Sequence, residues 1–143
     1  MAVLRRSGGF LLQTKQSYPN AVMRLPSGGI KASEDIDHAL LREVWEETNL
    51  DVHVERFVAI LGYRNASERS PFHTHLFLLR EIGGELRTND PTEKITEWRE
   101  VPPQELLEYA AALRRVESSW NNWGHFRAIA LDVLSEYCDA HGV

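Results

Sequence analysis

The chain has 143 residues, of which 43% are hydrophobic and 26% charged, and its formal net charge is −5. This length can bury a proper core, so we expect residues 1–143 to form a single domain. The acidic balance argues against a nucleic-acid surface, and no apolar run approaches the roughly 20 residues that span a bilayer. The single cysteine and the absence of a signal-peptide pattern predict a cytoplasmic protein without a disulfide.

The first part of the chain predicts two short strands, over residues 2–5 and 9–15, joined by a glycine-rich turn. Polar loop residues follow. Helical periodicity then begins near residue 35 and continues to about residue 49. The later strands and helices are predicted from the same kinds of apolar periodicity and turn residues.

The helix near residue 40 has an apolar stripe made by Ile36, Leu40 and Val44, which recur at about 100° per residue. Two larger side chains, those of Leu41 and Trp45, widen one side of that stripe. The stripe predicts a helix that packs on the core through one face.

The ends of this helix are marked by polar residues. Asp35 is the expected N-cap. Asn49 is expected just after the last turn, because asparagine tolerates the left-handed conformation. A glycine in place of Asn49 should therefore end the helix equally well.

Three carboxylates, Glu43, Glu46 and Glu47, lie at i, i+3 and i+4, so they are neighbours on the helix surface. One interpretation is a solvated acidic face. However, like charges repel at these spacings, and Glu46 and Glu47 lie near the negative end of the helix dipole. A divalent cation would resolve both problems, and grouped carboxylate oxygens suit Mg²⁺.

The second half of the chain predicts three strands followed by two helices. A hairpin is expected at Gly83-Gly84, with Leu86 beginning the return. Strands are predicted over residues 51–63, 72–81 and 95–101, and helices over residues 104–116 and 123–138. Strands interspersed with three helices predict a layered fold.

The spacing Gly28-x5-Glu34-x7-Arg42-Glu43-Val44-x-Glu46-Glu47-x-Asn49-Leu50 resembles the Nudix box, with Asn49 where that family has glycine. The resemblance implies an α+β fold, an α/β/α sandwich with a mixed β-sheet between helices. It also implies a hydrolase dependent on Mg²⁺, for which Mn²⁺ is a substitute.

The resemblance also implies roles for individual residues. Glu46 and Glu47 would be the principal metal ligands, and Glu43 would be a ligand or the general base. Glu34 and Arg42 would form an orienting pair. The carbonyl of Ser27, which replaces a glycine just before the box, would be a further metal ligand.

A carboxylate outside the box is expected to complete the site. The Glu97-Trp98 segment resembles a Glu-Trp segment in a Nudix protein that cleaves oxidised dGTP, so Glu97 is expected as a ligand or base. Glu93 is the alternative. Either residue could instead be a surface carboxylate at a strand end.

Several other residues are open to two interpretations. His73 and His75 share one face of a strand and either line a cleft or pack across strands. Arg24 either reaches a phosphate or lies on a surface strand. The loop residues Tyr63, Arg64 and Arg69 are candidates for the substrate side, as are Trp120, Trp123 and Phe126, which otherwise belong to the core.

The motif and the resemblance are compatible with two alternative functions. The first is hydrolysis of a small-molecule nucleoside diphosphate derivative by attack of metal-activated water on phosphorus. The derivative could be a nucleotide, a sugar nucleotide, ADP-ribose or a dinucleoside polyphosphate. The second is a non-catalytic sensor of such nucleotides, which would not need all three box carboxylates. The oligomeric state stays open, with a homodimer as one alternative.

Overall fold

The structure, a computed structural model, describes residues 1–64 and 71–143. Its strands are β1 (Ala2–Arg5), β2 (Phe10–Lys15), β3 (Leu50–Tyr63), β4 (Phe72–Gly84) and β5 (Ile95–Val101). Its helices are α1 (Ile36–Thr48), α2 (Leu106–Arg114) and α3 (Asn121–His141). The strands form one sheet in the order β3-β4-β1-β2-β5. The sheet is mixed, because β1 is parallel to β4 and the other neighbours are antiparallel.

Helices cover both faces of this sheet, as the α/β/α prediction requires. One face packs on α1 through Leu40 and Val44, which contact Leu4 and Leu11. The other face packs on α2 and α3. Its apolar cluster includes Val3, Phe10, Leu12, Leu76, Leu113, Leu131 and Leu134. Because β1 and β2 are buried on both faces, β1 and the first half of β2 are apolar runs, and β2 also buries the polar side chains of Gln13 and Thr14.

The caps of α1 are partly as predicted. Asn49 adopts the left-handed conformation, with φ 54° and ψ 21°, and its N–H donates to the Trp45 carbonyl, which confirms the expected helix end. Asp35 occupies the N-cap position, but its side chain accepts no cap hydrogen bond. The helix start is therefore set without side-chain capping.

The predicted width of the apolar stripe was wrong. Leu41 is 44% exposed, Trp45 is 54% exposed, and Ile36 at the first turn is 38% exposed. The helix packs on the sheet through Leu40 and Val44, and Ala39, Glu47 and Thr48 beside them are also buried. The three larger apolar side chains therefore lie outside the buried face.

The hairpin predicted at Gly83-Gly84 was also wrong. Both glycines belong to β4 and pair with Asp51 and Leu50 of β3. Gly84 has φ 90°, and a Cβ there would overlap the backbone of Asn49 and Leu50. Glycine is therefore needed for a close strand approach beside the end of α1, and Leu86 begins a loop instead of a returning strand.

The two C-terminal helices have different bounds from those predicted. A 3₁₀ turn, Pro103–Glu105, precedes α2, and α3 extends further at both ends. In the part of the chain that the structure describes, no helix is long and apolar enough to cross a membrane.

Candidate active site

The loop before α1 is tied to the helix by Arg42. Its Nε and Nη2 donate to the two Glu34 oxygens at 2.7 and 2.8 Å, and Nη2 also donates to the Gly29 carbonyl at 2.9 Å. This is the pairing that the resemblance implied. The hydrogen bonds from Arg42, and then the bond from the Lys31 N–H, lower the pKa of Glu34 to about 2. The hydrogen bonds that Arg42 donates to Glu34, and then to Glu43, raise the pKa of Arg42.

A group of three carboxylates lies at the C-terminal half of α1. One carboxylate oxygen from each of Glu43, Glu46 and Glu93 lies within 4.8 Å of the others. Arg42 Nη1 donates to both Glu43, at 2.8 Å, and Glu46, at 3.0 Å. The donor set is all oxygen, which suits a hard divalent cation, so this cluster could hold a metal ion. Glu93, the alternative to Glu97, is the carboxylate that joins the box glutamates.

Glu93 reaches the cluster because its loop caps the end of α1. The backbone N–H groups of Asn89 and Asp90 donate to the Glu46 carbonyl at 2.9 and 3.1 Å, and Asn89 Nδ2 donates to the Trp45 carbonyl at 2.9 Å. The Glu46 carbonyl lies in the last turn, where carbonyls lack helical partners, so the loop satisfies it. The Trp45 carbonyl accepts from the loop in addition to its bond from the Asn49 N–H. The Asp90 carboxylate then accepts from the Thr92 N–H at 2.9 Å, which shapes the turn Pro91–Glu93.

Asn49 joins that loop to β4 through its side chain. Its Nδ2 donates to the Glu85 carbonyl at 2.8 Å, and its Oδ1 accepts from Asn89 Nδ2 at 2.8 Å. Glycine would relax the left-handed backbone but lose both bonds. The expectation that glycine serves equally well therefore does not follow from the structure.

We expect Asn49→Gly to destabilise the protein by about 1 kcal/mol, since a typical hydrogen bond contributes about that much net. Asn49→Val should cost more, because a β-branched residue is strained at positive φ in addition to losing the bonds. Urea unfolding of both variants measures this. A glycine variant as stable as the wild type would mean that the side-chain bonds contribute nothing.

Glu47 is buried and is not one of the three clustered carboxylates. It is 1% exposed, and its Oε1 lies 3.0 Å from Lys15 Nζ and 3.9 Å from Arg24 Nη2. Burial raises the pKa of Glu47, against the opposing charges of Arg24 and Lys15. Burial would lower the pKa of Lys15, but its pairing with Glu47 and Glu93 overcomes this and raises it. The three box glutamates therefore do not form one patch, and Lys15 joins Glu47 to Glu93.

The loop segment before α1, which contains Ser27 and Gly28, packs against the Glu43 carboxylate. A Cβ on Gly28 would overlap the Glu43 carboxylate, so only glycine fits there without displacing that side chain. Ser27 Oγ accepts from Arg24 Nη1 and from Arg127 Nη1, each at 2.8 Å. Arg24 is therefore buried in the interior, not on a surface strand.

A cleft of about 480 Å³ opens beside this segment. Its walls include Ser27 and Gly28, the box residues Glu43 and Glu47, the β4 residues Phe72, His73, Thr74 and His75, and Arg127 of α3. Ligand pockets for small molecules have volumes of about 300–1,000 Å³, so a nucleotide-sized ligand fits. Both strand histidines line the cleft. Tyr63 packs edge-to-face on Phe126, whereas Arg69 lies outside the described residues.

Glu97 does not join the cluster. Its carboxylate accepts from Arg99 at 2.5 Å, and Arg99 reaches the hydroxyl of Tyr109 on α2 at 3.3 Å. Trp98, between them, packs with the apolar cluster under α1. Because side chains alternate along a strand, Glu97 faces the opposite side of the sheet from α1.

Two charged residues that the sequence reasoning missed lie in this region. Lys15 ends β2 and contacts Glu47, and Arg127 comes from α3, which is 100 positions after Ser27. A lysine that ends an apolar strand is a signal for the first. Arg127 has no local signal, because it lies one residue after an inner-face position of an amphipathic helix.

A mixed sheet between helices, with an acidic cluster held at the end of a loop-helix segment, defines an α+β protein of the Nudix fold class. The NUDIX domain model matches residues 1–120, so the chain belongs to the NUDIX family.

Two curated relatives are similar over part of the chain. An ADP-ribose pyrophosphatase from Methanocaldococcus jannaschii is 26% identical over 93 residues, which are 64% of this chain and 55% of that protein. Phosphatase NudJ from Escherichia coli strain K12 is 29% identical over 77 residues, 54% of this chain and 50% of that protein. The chain thus spans about half the length of the curated relatives it matches.

Solved structures share the fold over nearly the whole chain. A NUDIX hydrolase from Nitrosomonas europaea has a TM-score of 0.67 at 19% identity, covering 97% of this chain and 86% of that one. An Ap4A hydrolase from C. elegans has a TM-score of 0.63 at 17% identity, covering 97% and 95%.

Proposed function

We propose that this protein is a Mg²⁺-dependent pyrophosphohydrolase that cleaves the diphosphate of a small nucleoside diphosphate derivative. The observation that carries the proposal is the cluster of Glu43, Glu46 and Glu93, with Glu43 also lining the cleft. Membership of the NUDIX family, and the diphosphate-cleaving relatives, support the reaction class. The same carboxylates argue against a non-catalytic sensor, which has no need for them.

Glu43, Glu46 and Glu93 would hold the metal ion, with Glu47, which lines the same cleft and contacts Lys15, as a further ligand. When bound, Mg²⁺ neutralises phosphate oxygens and lowers the pKa of a water molecule. Mn²⁺ would serve as a substitute. The Ser27 carbonyl would be a further metal ligand.

The protein residues would then position the water and remove its proton. Glu93 or Glu43 accepts the proton, a step that typically contributes about 10²- to 10⁴-fold. Arg42 holds Glu43 and Glu46 at the cleft and fastens them to Glu34. No covalent step is needed. Cys138 is 2% exposed and packs in the core cluster, so its thiol is not available as a nucleophile.

The test is a panel of ADP-ribose, sugar nucleotides, dinucleoside polyphosphates and base-damaged nucleoside triphosphates, scored by mononucleotide or phosphate release. We expect release from at least one compound with Mg²⁺ or Mn²⁺, and none with chelator. Reaction in ¹⁸O-water should place one heavy oxygen on a phosphate-containing product. Tight binding of a panel compound without turnover, at any metal concentration, would favour the sensor instead.

A further inference from the structure

Arg127 is a half-buried cation that lines the cleft and has no ion-pair partner among the described residues. Within residues 1–64 and 71–143 it forms no ion pair, its Nη1 donates to Ser27 Oγ at 2.8 Å, and its Nε is buried with no hydrogen-bond partner. Its guanidinium carbon lies 5.4 Å from the Phe126 ring centroid and 6.0 Å from that of Trp123. The rings therefore confine the guanidinium beside the cleft that Arg127 lines.

The charges around Arg127 favour an anion in the cleft. The one fully buried carboxylate nearby, that of Glu47, already contacts Lys15 and Arg24. Burial, followed by the repulsion of Arg24, lowers the pKa of Arg127 to about 10. The nearest carboxylate charge that offsets this burial is that of Glu47, which Lys15 and Arg24 share, and an anionic ligand in the cleft would supply a further counter-charge.

The hydroxyl of Ser27 orients this arginine. It accepts one hydrogen bond from Arg24 and one from Arg127, which uses both lone pairs and leaves its proton free to donate. The family motif has glycine at this position, so the motif itself does not supply this hydroxyl. Because arginine presents donors in a planar fork, fixing one nitrogen orients the remaining ones.

We propose that Arg127, oriented by Ser27, binds oxygens of one phosphate of the substrate while the other phosphate is held at the glutamate cluster. The inference rests on the proposed function in naming the ligand a diphosphate. It makes Arg127 the residue that selects two linked phosphates over a single one. Glu43 and Arg127 line the same cleft, so one diphosphate can engage both.

The test is calorimetric titration with inorganic pyrophosphate and with inorganic phosphate, each with Mg²⁺ and with chelator. We expect the wild type to prefer pyrophosphate. Arg127→Gln should weaken pyrophosphate binding by about tenfold or more and remove most of the preference, since hydrogen bonds between charged groups are strong. Arg127→Lys should be intermediate, because it keeps the charge but loses the fork. Ser27→Ala should also weaken binding, by less than Arg127→Gln.

Arg115→Gln is the matched control, because Arg115 is an exposed arginine at the end of α2. It should bind pyrophosphate like the wild type. Thermal unfolding checks folding, and if Arg127→Gln does not fold, Arg127→Lys and Ser27→Ala decide. Wild-type pyrophosphate affinity in the folded Arg127 and Ser27 variants would overturn the inference, even if the enzyme hydrolyses diphosphates. A wild type that hydrolyses nothing but binds pyrophosphate through Arg127 would overturn only the proposed function.

Discussion

Replacing Glu46 by Gln is expected to lower kcat/KM by about 100-fold or more at low Mg²⁺, a loss of about 2.7 kcal/mol of transition-state stabilisation. The substitution keeps the size of the side chain and removes one of the three charges in the cluster of Glu43, Glu46 and Glu93. A divalent cation gains most from ionised oxygen ligands. The variant should therefore need more Mg²⁺ to reach its maximal rate.

Titrating the rate against Mg²⁺ separates loss of metal affinity from unfolding. Unfolding stability without metal should change by no more than about 1 kcal/mol, because Glu46 is partly exposed and ion pairs of this kind contribute little. Glu136→Gln, an exposed glutamate on α3, is the matched control and should behave like the wild type. Wild-type turnover of the Glu46 variant at every Mg²⁺ concentration would remove Glu46 from the metal ligands.

The second large effect distinguishes Glu93 from Glu97. Glu93→Gln should lower kcat by about 100-fold or more, whether Glu93 is a ligand or the general base. Glu97→Gln should leave kcat close to the wild-type value, since Glu97 pairs with Arg99 on the other face of the sheet. The two glutamates are four positions apart, so the pair is its own control.

The pH–rate profile tells which role Glu93 has. If Glu93 is the base, the acidic limb of the kcat/KM profile should flatten in Glu93→Gln, and added Mg²⁺ should not restore the rate. If Glu93 is a ligand, added Mg²⁺ should restore much of the rate. The opposite pattern, with Glu97→Gln inactive and Glu93→Gln active, would mean that the cluster is assembled differently during turnover.

Local features of the sequence were enough to predict the helix of the box and its end. The 3.6-residue period placed Leu40 and Val44 on the sheet, and the left-handed preference of asparagine placed the helix end at Asn49. The layered order of strands and helices and the pairing of Glu34 with Arg42 were also accessible, the latter through the family resemblance. These features depend on neighbours in the chain or on a motif of fixed spacing.

Tertiary structure decided which carboxylates meet. Glu93 joins Glu43 and Glu46 because its loop satisfies the free carbonyls at the end of α1. The pairing of Gly83 and Gly84 with β3 replaced the hairpin expected at those two glycines. Helical spacing predicted that Glu47 lies beside Glu43 and Glu46 on one patch. In the structure the Glu47 carboxylate is buried and contacts Lys15.

Distance along the chain explains why Arg127 could not be predicted at the cleft. Ser27 and Arg127 are 100 positions apart, and they meet only because α3 packs on the face of the sheet opposite α1. Periodicity indicates which face of a helix is buried, but not which loop lies beside it. That choice depends on how the layers pack, which no local pattern records.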